Sequence, residues 1–185
     1  MTKGIIIFGP AGSGKTTLGK AVAKSLSFPY YDLDYYIWRN DTEVPFTQLR
    51  TLEEKTDLLM CDIVKFPNFV MAGSMNSFSE PFVPLFSLAV FLTAPIEICI
   101  ERITERQTAK YGNRIKPSGD MYENHLEFID IVSRYYYSNE SPCYSKHTEW
   151  SETLPCPVLH MDGTLSIAEN TAFIVEQYLN CTERP

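Results

Sequence analysis

The stretch Gly9-Pro10-Ala11-Gly12-Ser13-Gly14-Lys15-Thr16 has the spacing G-x4-G-K-[ST], a pattern whose chemistry is the holding of phosphate. Glycines let the backbone curl until several N–H groups point inward, and a helix starting there adds the positive end of its dipole. Lys15 can then reach the β- and γ-phosphates of a nucleotide, and the Thr16 hydroxyl can ligate Mg²⁺. The expected nucleotide-binding set is therefore Gly9, Ala11, Gly12, Ser13, Gly14, Lys15, Thr16 and Thr17.

Two further groups of residues could complete that chemistry. Tyr31-Asp32-Leu33-Asp34 carries carboxylates two apart, which an extended strand end would place on one side, facing the phosphate loop. In-line phosphoryl transfer needs positioning, charge neutralisation and one carboxylate near the attacking oxygen. An acidic strand-end turn is the alternative use of the same residues. Arg102 and Arg106 are four apart and share a helix face, with Lys110, Arg114 and Lys116 following. A planar guanidinium can bind phosphate oxygens with two parallel hydrogen bonds, although the stretch could equally be a solvated charged helix. Cys143, His147, Cys156 and His160 repeat C-x3-H, a spacing that zinc accepts. His160 lies inside the apolar run Val158–Met161, where alternate side chains point apart, so separate thiols and imidazoles are expected instead.

Apolar runs at Gly4–Phe8, Phe69–Ala72, Leu88–Leu92 and Val158–Met161, with a Tyr-rich fifth at Phe28–Leu33, read as strands covered on both faces. Leu18, Ala21, Val22 and Leu26 stripe a helix after the phosphate loop, and Ile96, Cys99, Ile100 and Ile103 stripe another after Pro95. Thr51-x-x-Glu54 and Ser166-x-x-Glu169 are capping-box spacings that open two more. Strands alternating with helices predict an α/β fold with a mainly parallel sheet. Residues 35–50 and 111–155 fall outside this rhythm and read as inserts of the kind that form binding loops and lids. The second contains a helical stretch around Tyr122–Tyr136 and a polar loop to Pro157. Its aromatics, among them Tyr135, Tyr136, Tyr137, Tyr144 and Trp150, are expected to pack it onto the sheet rather than to line a pocket.

On these residues the sequence resembles the small P-loop kinases of the adenylate kinase and shikimate kinase group. The resemblance implies a five-stranded parallel sheet in the order 2-3-1-4-5, with ATP phosphates at the carboxyl ends of the strands. In that group the first Asp of the D-x-D helps to hold the Mg²⁺ water shell, which assigns the metal to Thr16 and Asp32. The second sits beside the acceptor hydroxyl, which gives Asp34 both an acceptor-binding and a catalytic role alongside Lys15. An Arg at the helix end stacks on adenine and one in the lid meets the transferring phosphate, by position Arg106 and Arg114. Asp162-Gly163-Thr164 resembles the D-G-[ST] loop that passes over the adenine edge. Arg50-x-x-Glu53 has the spacing of the element whose Arg grips the acceptor carboxylate, with Leu49 where a Phe is expected. Ala72-Gly73-Ser74 takes the place of a Gly-rich turn without its three glycines, so Arg50, Gly73 and Ser74 form the expected acceptor pocket and shikimate itself is not the expected acceptor. The Asp-Gly-x-Pro-Arg-like segment of nucleoside monophosphate kinases is missing as well. The resemblance runs to about residue 114 and resumes at the C-terminal end; residues 115–155 match nothing with an assigned role.

The resemblance thus implies ATP- and Mg²⁺-dependent transfer of the γ-phosphate to a small acceptor hydroxyl or phosphate. The alternative is a P-loop ATPase or nucleotide-binding switch that meets a protein partner through the 115–155 segment. A GTPase would show D-x-x-G and N-K-x-D, and neither string occurs. Composition narrows the classes further: 185 residues, 16 basic against 23 acidic, 44% hydrophobic and 21% charged suit one globular domain over 1–185. A formal net charge of −7 argues against a nucleic-acid partner, since such affinity comes from Lys and Arg neutralising phosphates. No apolar run approaches the roughly 18 residues of a membrane span, and Ile5–Phe8 is too short for a signal-peptide core. A cytoplasmic monomer or homodimer is expected.

Overall fold

A computed structural model describes residues 3–75 and 77–182. Its centre is β1 (Lys3–Phe8), whose KGIIIF sequence is buried from Gly4 onward. From there the chain turns through the phosphate loop into α1 (Lys15–Leu26), then β2 (Tyr30–Asp32), a short α2 (Leu33–Ile37) and α3 (Leu52–Ile63). β3 (Asn68–Ala72) and β4 (Phe86–Thr93) follow, then α4 (Ile96–Tyr111), α5 (Tyr122–Ser133), α6 (Tyr144–Glu152), β5 (Val158–Asp162) and α7 (Ile167–Thr182). All strand pairings are parallel and the order is β2-β3-β1-β4-β5, the order implied by the resemblance.

Strand periodicity separates two faces. Ile6, Phe8, Phe69, Met71, Ala89 and Phe91 point to one, where α3 supplies Leu59 and Ile63. Ile5, Ile7, Val70, Ala72, Leu88 and Val90 point to the other, covered by Leu18 and Val22 of α1 and Ile174 and Tyr178 of α7. Burial of each such side chain is worth about 1.5–3 kcal/mol, so a single polar substitution at Ile6 or Ile7 would be severe. A third cluster joins α4 to α5 through Cys99, Ile103 and Val132 and includes Ala11 of the phosphate loop.

The Thr51 capping box forms: Thr51 Oγ1 accepts from the Glu54 N–H while Glu54 accepts from the Thr51 N–H. At α7 half of the box forms, the Glu169 N–H donating to Ser166 Oγ, while the Ser166 hydroxyl rather than its N–H donates to the Glu169 carboxylate. Two local expectations need correction. The second strand stops at Asp32, because its carboxylate accepts from the Asp34 N–H (3.2 Å) and caps α2. Asp34 therefore stands in the first turn of a helix and not at a strand end. The supposed polar loop before Pro157 contains α6, whose sequence YSKHTEWSE shows almost no apolar stripe. It is held by aromatic contacts: Trp150 meets Phe8 edge-on at 4.8 Å and donates from Nε1 to Ser79 Oγ (3.1 Å).

Candidate active site

The phosphate loop is shaped by close approach on two sides. Gly9 (φ 139°), Gly12 (φ 82°) and Gly14 (φ 101°) all lie in the left-handed region that favours glycine. A β-carbon on Gly9 would collide with the Leu92 carbonyl of β4, and one on Gly12 with the Cys99 carbonyl of α4. Ser13 is buried and its Oγ donates to the Pro10 carbonyl (3.0 Å), closing the curl. The first turn of α1 has no side-chain cap and no acidic residue, so its N–H groups face the loop undiluted. Thr16 is half-buried and Thr17 exposed in that turn.

Lys15 arches back over the loop, its Nζ donating to the Pro10 carbonyl at 2.6 Å. Burial lowers its pKa to about 8, against the pull of Asp34, Cys99 and Asp32 and with the push of Arg106. Asp34 is affected in the opposite sense. Burial and the neighbouring Asp32 raise its pKa, and Lys15 and Arg106 oppose that rise. Asp34 itself is exposed at the surface. Lys15, Asp32, Asp34 and Arg106 thus share one electrostatic neighbourhood at the carboxyl ends of β1 and β2. Arg106 makes no hydrogen bond or ion pair among the described residues.

Beside them the Tyr30 hydroxyl lies near Thr16, and burial, followed by the Asp32 charge, raises its pKa. It is buried without a hydrogen bond of good geometry among the described residues. Thr16, Asp32 and this orphaned hydroxyl form an all-oxygen donor set, the kind that suits a hard cation keeping part of its water shell.

The remaining expected residues are dispersed more widely. Gly73 (φ 140°) donates its N–H to the Ile7 carbonyl (3.0 Å) and packs on Leu33, between the two aspartates. Ser74 Oγ lies 2.9 Å from His147 Nε2. Gly163 donates its N–H to the Thr93 carbonyl (2.7 Å), and a β-carbon there would meet the Ser13 carbonyl, so this turn rests on the back of the phosphate loop. Asp162 accepts from the N–H and the hydroxyl of Thr164, both at 2.7 Å, which lower its pKa and shape the turn.

Arg50 and Arg114 both have protein partners in this structure. Arg50 Nη1 donates to the carbonyls of Tyr35 (2.9 Å) and Trp38, fastening the 35–50 segment onto itself. Arg114 makes a two-pronged pair with Asp120 (Nη2–Oδ2 2.6 Å, Nε–Oδ1 3.0 Å) and donates to the Glu43 carbonyl (3.3 Å). Its charge is not among those acting on Lys15 or Asp34, whereas that of Arg106 is. Its guanidinium thereby links the start of the 111–155 segment to the 35–50 segment.

Three residues carry more than their sequence signal announced. Arg102 Nη1 donates to the carbonyls of Gly163 (3.1 Å), Gly12 (3.4 Å) and Ser13 (3.5 Å) and so ties α4, the phosphate loop and the β5 turn together. Its place one turn before Arg106 was the available clue. Lys55, on the α3 stripe that buries Leu59, donates to Ser77 Oγ (3.1 Å) and lies over the Phe78 ring (4.8 Å). His147 is buried between Phe8 and Phe91, and nothing in the sequence around it pointed there. The four C-x3-H residues part company: Cys143 Sγ contacts Ser145 Oγ and His160 lies on Phe91. Among the described residues, no group of three or more His, Cys, Asp or Glu is placed to hold a metal. Nor is any helix there long and apolar enough to cross a membrane.

Comparison with known proteins bears on the family and the fold. A family model described as an AAA domain (AAA_18) matches residues 5–127. The chain is 30% identical over 177 residues to the uncharacterized protein YqaC of Bacillus subtilis, covering 95% of this chain and 97% of that protein. It is 27% identical over 112 residues to shikimate kinase 2 of Escherichia coli, covering 56% of this chain and 64% of that protein. Shikimate kinase from Acinetobacter baumannii, solved in complex with shikimate, shares the fold with a TM-score of 0.54 at 17% identity, covering 100% of this chain and 97% of that chain. Motif, strand order and matched span lead to one conclusion: the chain belongs to the AAA_18 family of P-loop domains.

Proposed function

We propose that the protein is an ATP- and Mg²⁺-dependent phosphotransferase that moves the γ-phosphate to an oxygen of a small-molecule acceptor, with residues 1–185 working as one domain. The observation that carries this reading is the shared field of Lys15, Asp34, Asp32 and Arg106 beside the phosphate loop. A nucleotide switch needs the cradle and the lysine; a second carboxylate of raised pKa, poised beside that lysine, is a feature of acceptor chemistry.

In this reading the loop N–H groups and the α1 N-terminus hold the β- and γ-phosphates, with Lys15 swinging from the Pro10 carbonyl onto them. Thr16 and Asp32 would hold Mg²⁺, which would supply neutralisation of phosphate charge. Asp34 orients the acceptor hydroxyl and takes its proton, a role its raised pKa favours because the carboxylate is then a stronger base. Arg106 supplies the mobile positive charge over the nucleotide. Arg114 holds the lid through Asp120, and Gly73 and Ser74 border the acceptor side. Support from relatives is of kind only: shikimate kinase 2 is named for an acceptor that the altered turn Ala72-Gly73-Ser74 argues against here.

The test is ADP release with ATP and Mg²⁺ against a panel of sugars, sugar acids, nucleosides, nucleoside monophosphates, shikimate and aminoglycosides, with Lys15→Ala as the blank. An acceptor that raises the rate well above background supports the reading and identifies the substrate class. An acceptor-independent rate that is lost in Lys15→Ala would overturn it in favour of an ATPase or switch.

A further inference from the structure

The 111–155 insert reaches the acceptor side of the cleft through one buried imidazole. His147 lies on α6, wholly removed from solvent, with its ring edge-on to Phe8 (5.7 Å) and Phe91 (5.9 Å). Its Nδ1 is 2.7 Å from the Tyr135 hydroxyl and its Nε2 is 2.9 Å from Ser74 Oγ. Ser74 follows Gly73 at the carboxyl end of β3, and Gly73 packs on Leu33 between Asp32 and Asp34. Three side chains from two distant parts of the chain therefore end beside the turn that carries the proposed base.

Proton counting fixes the direction of both hydrogen bonds. Tyr135 is 2% exposed, and among the described residues His147 Nδ1 is the acceptor within reach of its hydroxyl. A buried O–H that does not donate costs the full desolvation of that group, so Tyr135 donates and Nδ1 accepts. A neutral imidazole carries one proton, which must then sit on Nε2, and Nε2–H donates to Ser74 Oγ. With one lone pair occupied by that bond, the Ser74 hydroxyl hydrogen has no acceptor among the described residues. Neutrality of the ring is secure, because burial and the Lys15 charge lower the His147 pKa to about 4.

We propose that the Tyr135–His147 pair locks Ser74 as a hydrogen-bond donor to the phosphate acceptor. The acceptor must then present a lone-pair oxygen to Ser74, whether carboxylate, carbonyl, ring ether or phosphate, next to the oxygen that is phosphorylated. Ser74 contacts substrate; His147 and Tyr135 are positioning residues that set which way its hydroxyl points. The proposal rests on the phosphotransferase reading for the identity of the bound molecule, but the hydrogen-bond order does not.

The decisive experiment is nitrogen NMR of the full-length protein labelled at histidine, near pH 7 and without ligand. The expected spectrum shows His147 protonated at Nε2 and bare at Nδ1, with Tyr135→Phe releasing that preference. The opposite tautomer, or no change in Tyr135→Phe, would overturn the proposal whatever the protein catalyses. Acceptor kinetics with the substrate found by the ADP-release panel form the second arm. Ser74→Ala and Tyr135→Phe are expected to raise KM for the acceptor roughly ten-fold with kcat within about two-fold, the pattern of a lost binding hydrogen bond. Ser74→Thr, which keeps the hydroxyl, is expected to recover most of the loss. An unaltered acceptor KM in both Ser74→Ala and Tyr135→Phe would remove Ser74 from the acceptor site. Failure of every acceptor with the wild-type protein would instead count against the phosphotransferase reading, leaving the NMR arm to decide the hydrogen-bond order.

Discussion

A β-carbon on Gly73 would stand 2.6 Å from the Leu33 β-carbon, so the end of β3 rests directly on the residue between Asp32 and Asp34. That contact sets how far the D-L-D turn stands from the phosphate loop. Gly73 also holds φ at 140°, a region that side chains avoid. Gly73→Ala is therefore expected to cost about 1–3 kcal/mol of stability and to displace Asp34. Acceptor-stimulated turnover should fall well before nucleotide affinity does. Urea unfolding and nucleotide titration together check this, and a variant with normal acceptor turnover would dissociate the turn from catalysis.

Arg102 is the mechanical counterpart on the other side of the loop. One guanidinium nitrogen reaches three carbonyls, from Gly12, Ser13 and Gly163, that belong to two separate turns. Removing it leaves those carbonyls without their charged donor, a loss of about 1.5–3 kcal/mol for a hydrogen bond to a charged group. Arg102→Ala is expected to weaken binding of a fluorescent ATP analogue about ten-fold and to lower the melting temperature. Arg102→Lys, whose compact ammonium cannot span both turns equally, should fall between. Wild-type affinity in Arg102→Ala would show that the loop holds its shape through Gly9 and Gly12 packing alone.

How much of this could be seen in the sequence depended on the range of the interaction concerned. The phosphate loop, four of the five strands and the Thr51 capping box are local patterns, and each formed at its expected place. The aspartate pair was legible by type but not by geometry: a period-2 reading keeps the strand running, whereas Asp32 prefers to cap and so stops it. The partner of Arg114 was not legible, because order along the chain says nothing of Asp120, six residues on, which pairs with it. α6 and His147 were illegible for a different reason. Their positions are decided by aromatic packing on Phe8 and Phe91, contacts more than fifty residues away in sequence that leave no periodic trace in YSKHTEWSE.

Lys15 makes a prediction about protons. Its pKa in the folded protein is about 8, below its ordinary 10.5, because burial penalises the ammonium. A polyphosphate placed against it restores the charge and raises that pKa, so binding must take up protons wherever free Lys15 is partly neutral. Near pH 8 the expected uptake is about half a proton per ATP, and it fades toward pH 6. Nucleotide affinity is accordingly expected to decline as pH rises through 8. Calorimetry in two buffers of different ionisation enthalpy measures the uptake. Equal apparent enthalpies at pH 8 would mean that Lys15 is already fully charged or does not meet the phosphates.

Asp34 couples function to stability with the opposite sign. Its pKa is raised in the folded protein, first by burial and then by Asp32, so between the unfolded and folded values the native state binds more protons than the unfolded one. Stability therefore falls as pH rises through that window, and at neutral pH the ionised Asp34 is a net burden on the fold. Asp34→Asn removes the charge while keeping the shape. It is expected to melt at a higher temperature than wild type at pH 7, with the difference shrinking as pH is lowered into the window where wild-type Asp34 is protonated. If Asp34 is the base, the same substitution lowers acceptor turnover by about 10²–10⁴-fold while nucleotide affinity persists. A residue with a purely structural role would lose stability on substitution, so gain of stability with loss of turnover separates the two. Normal turnover in Asp34→Asn would return the pair of aspartates to a turn-forming role.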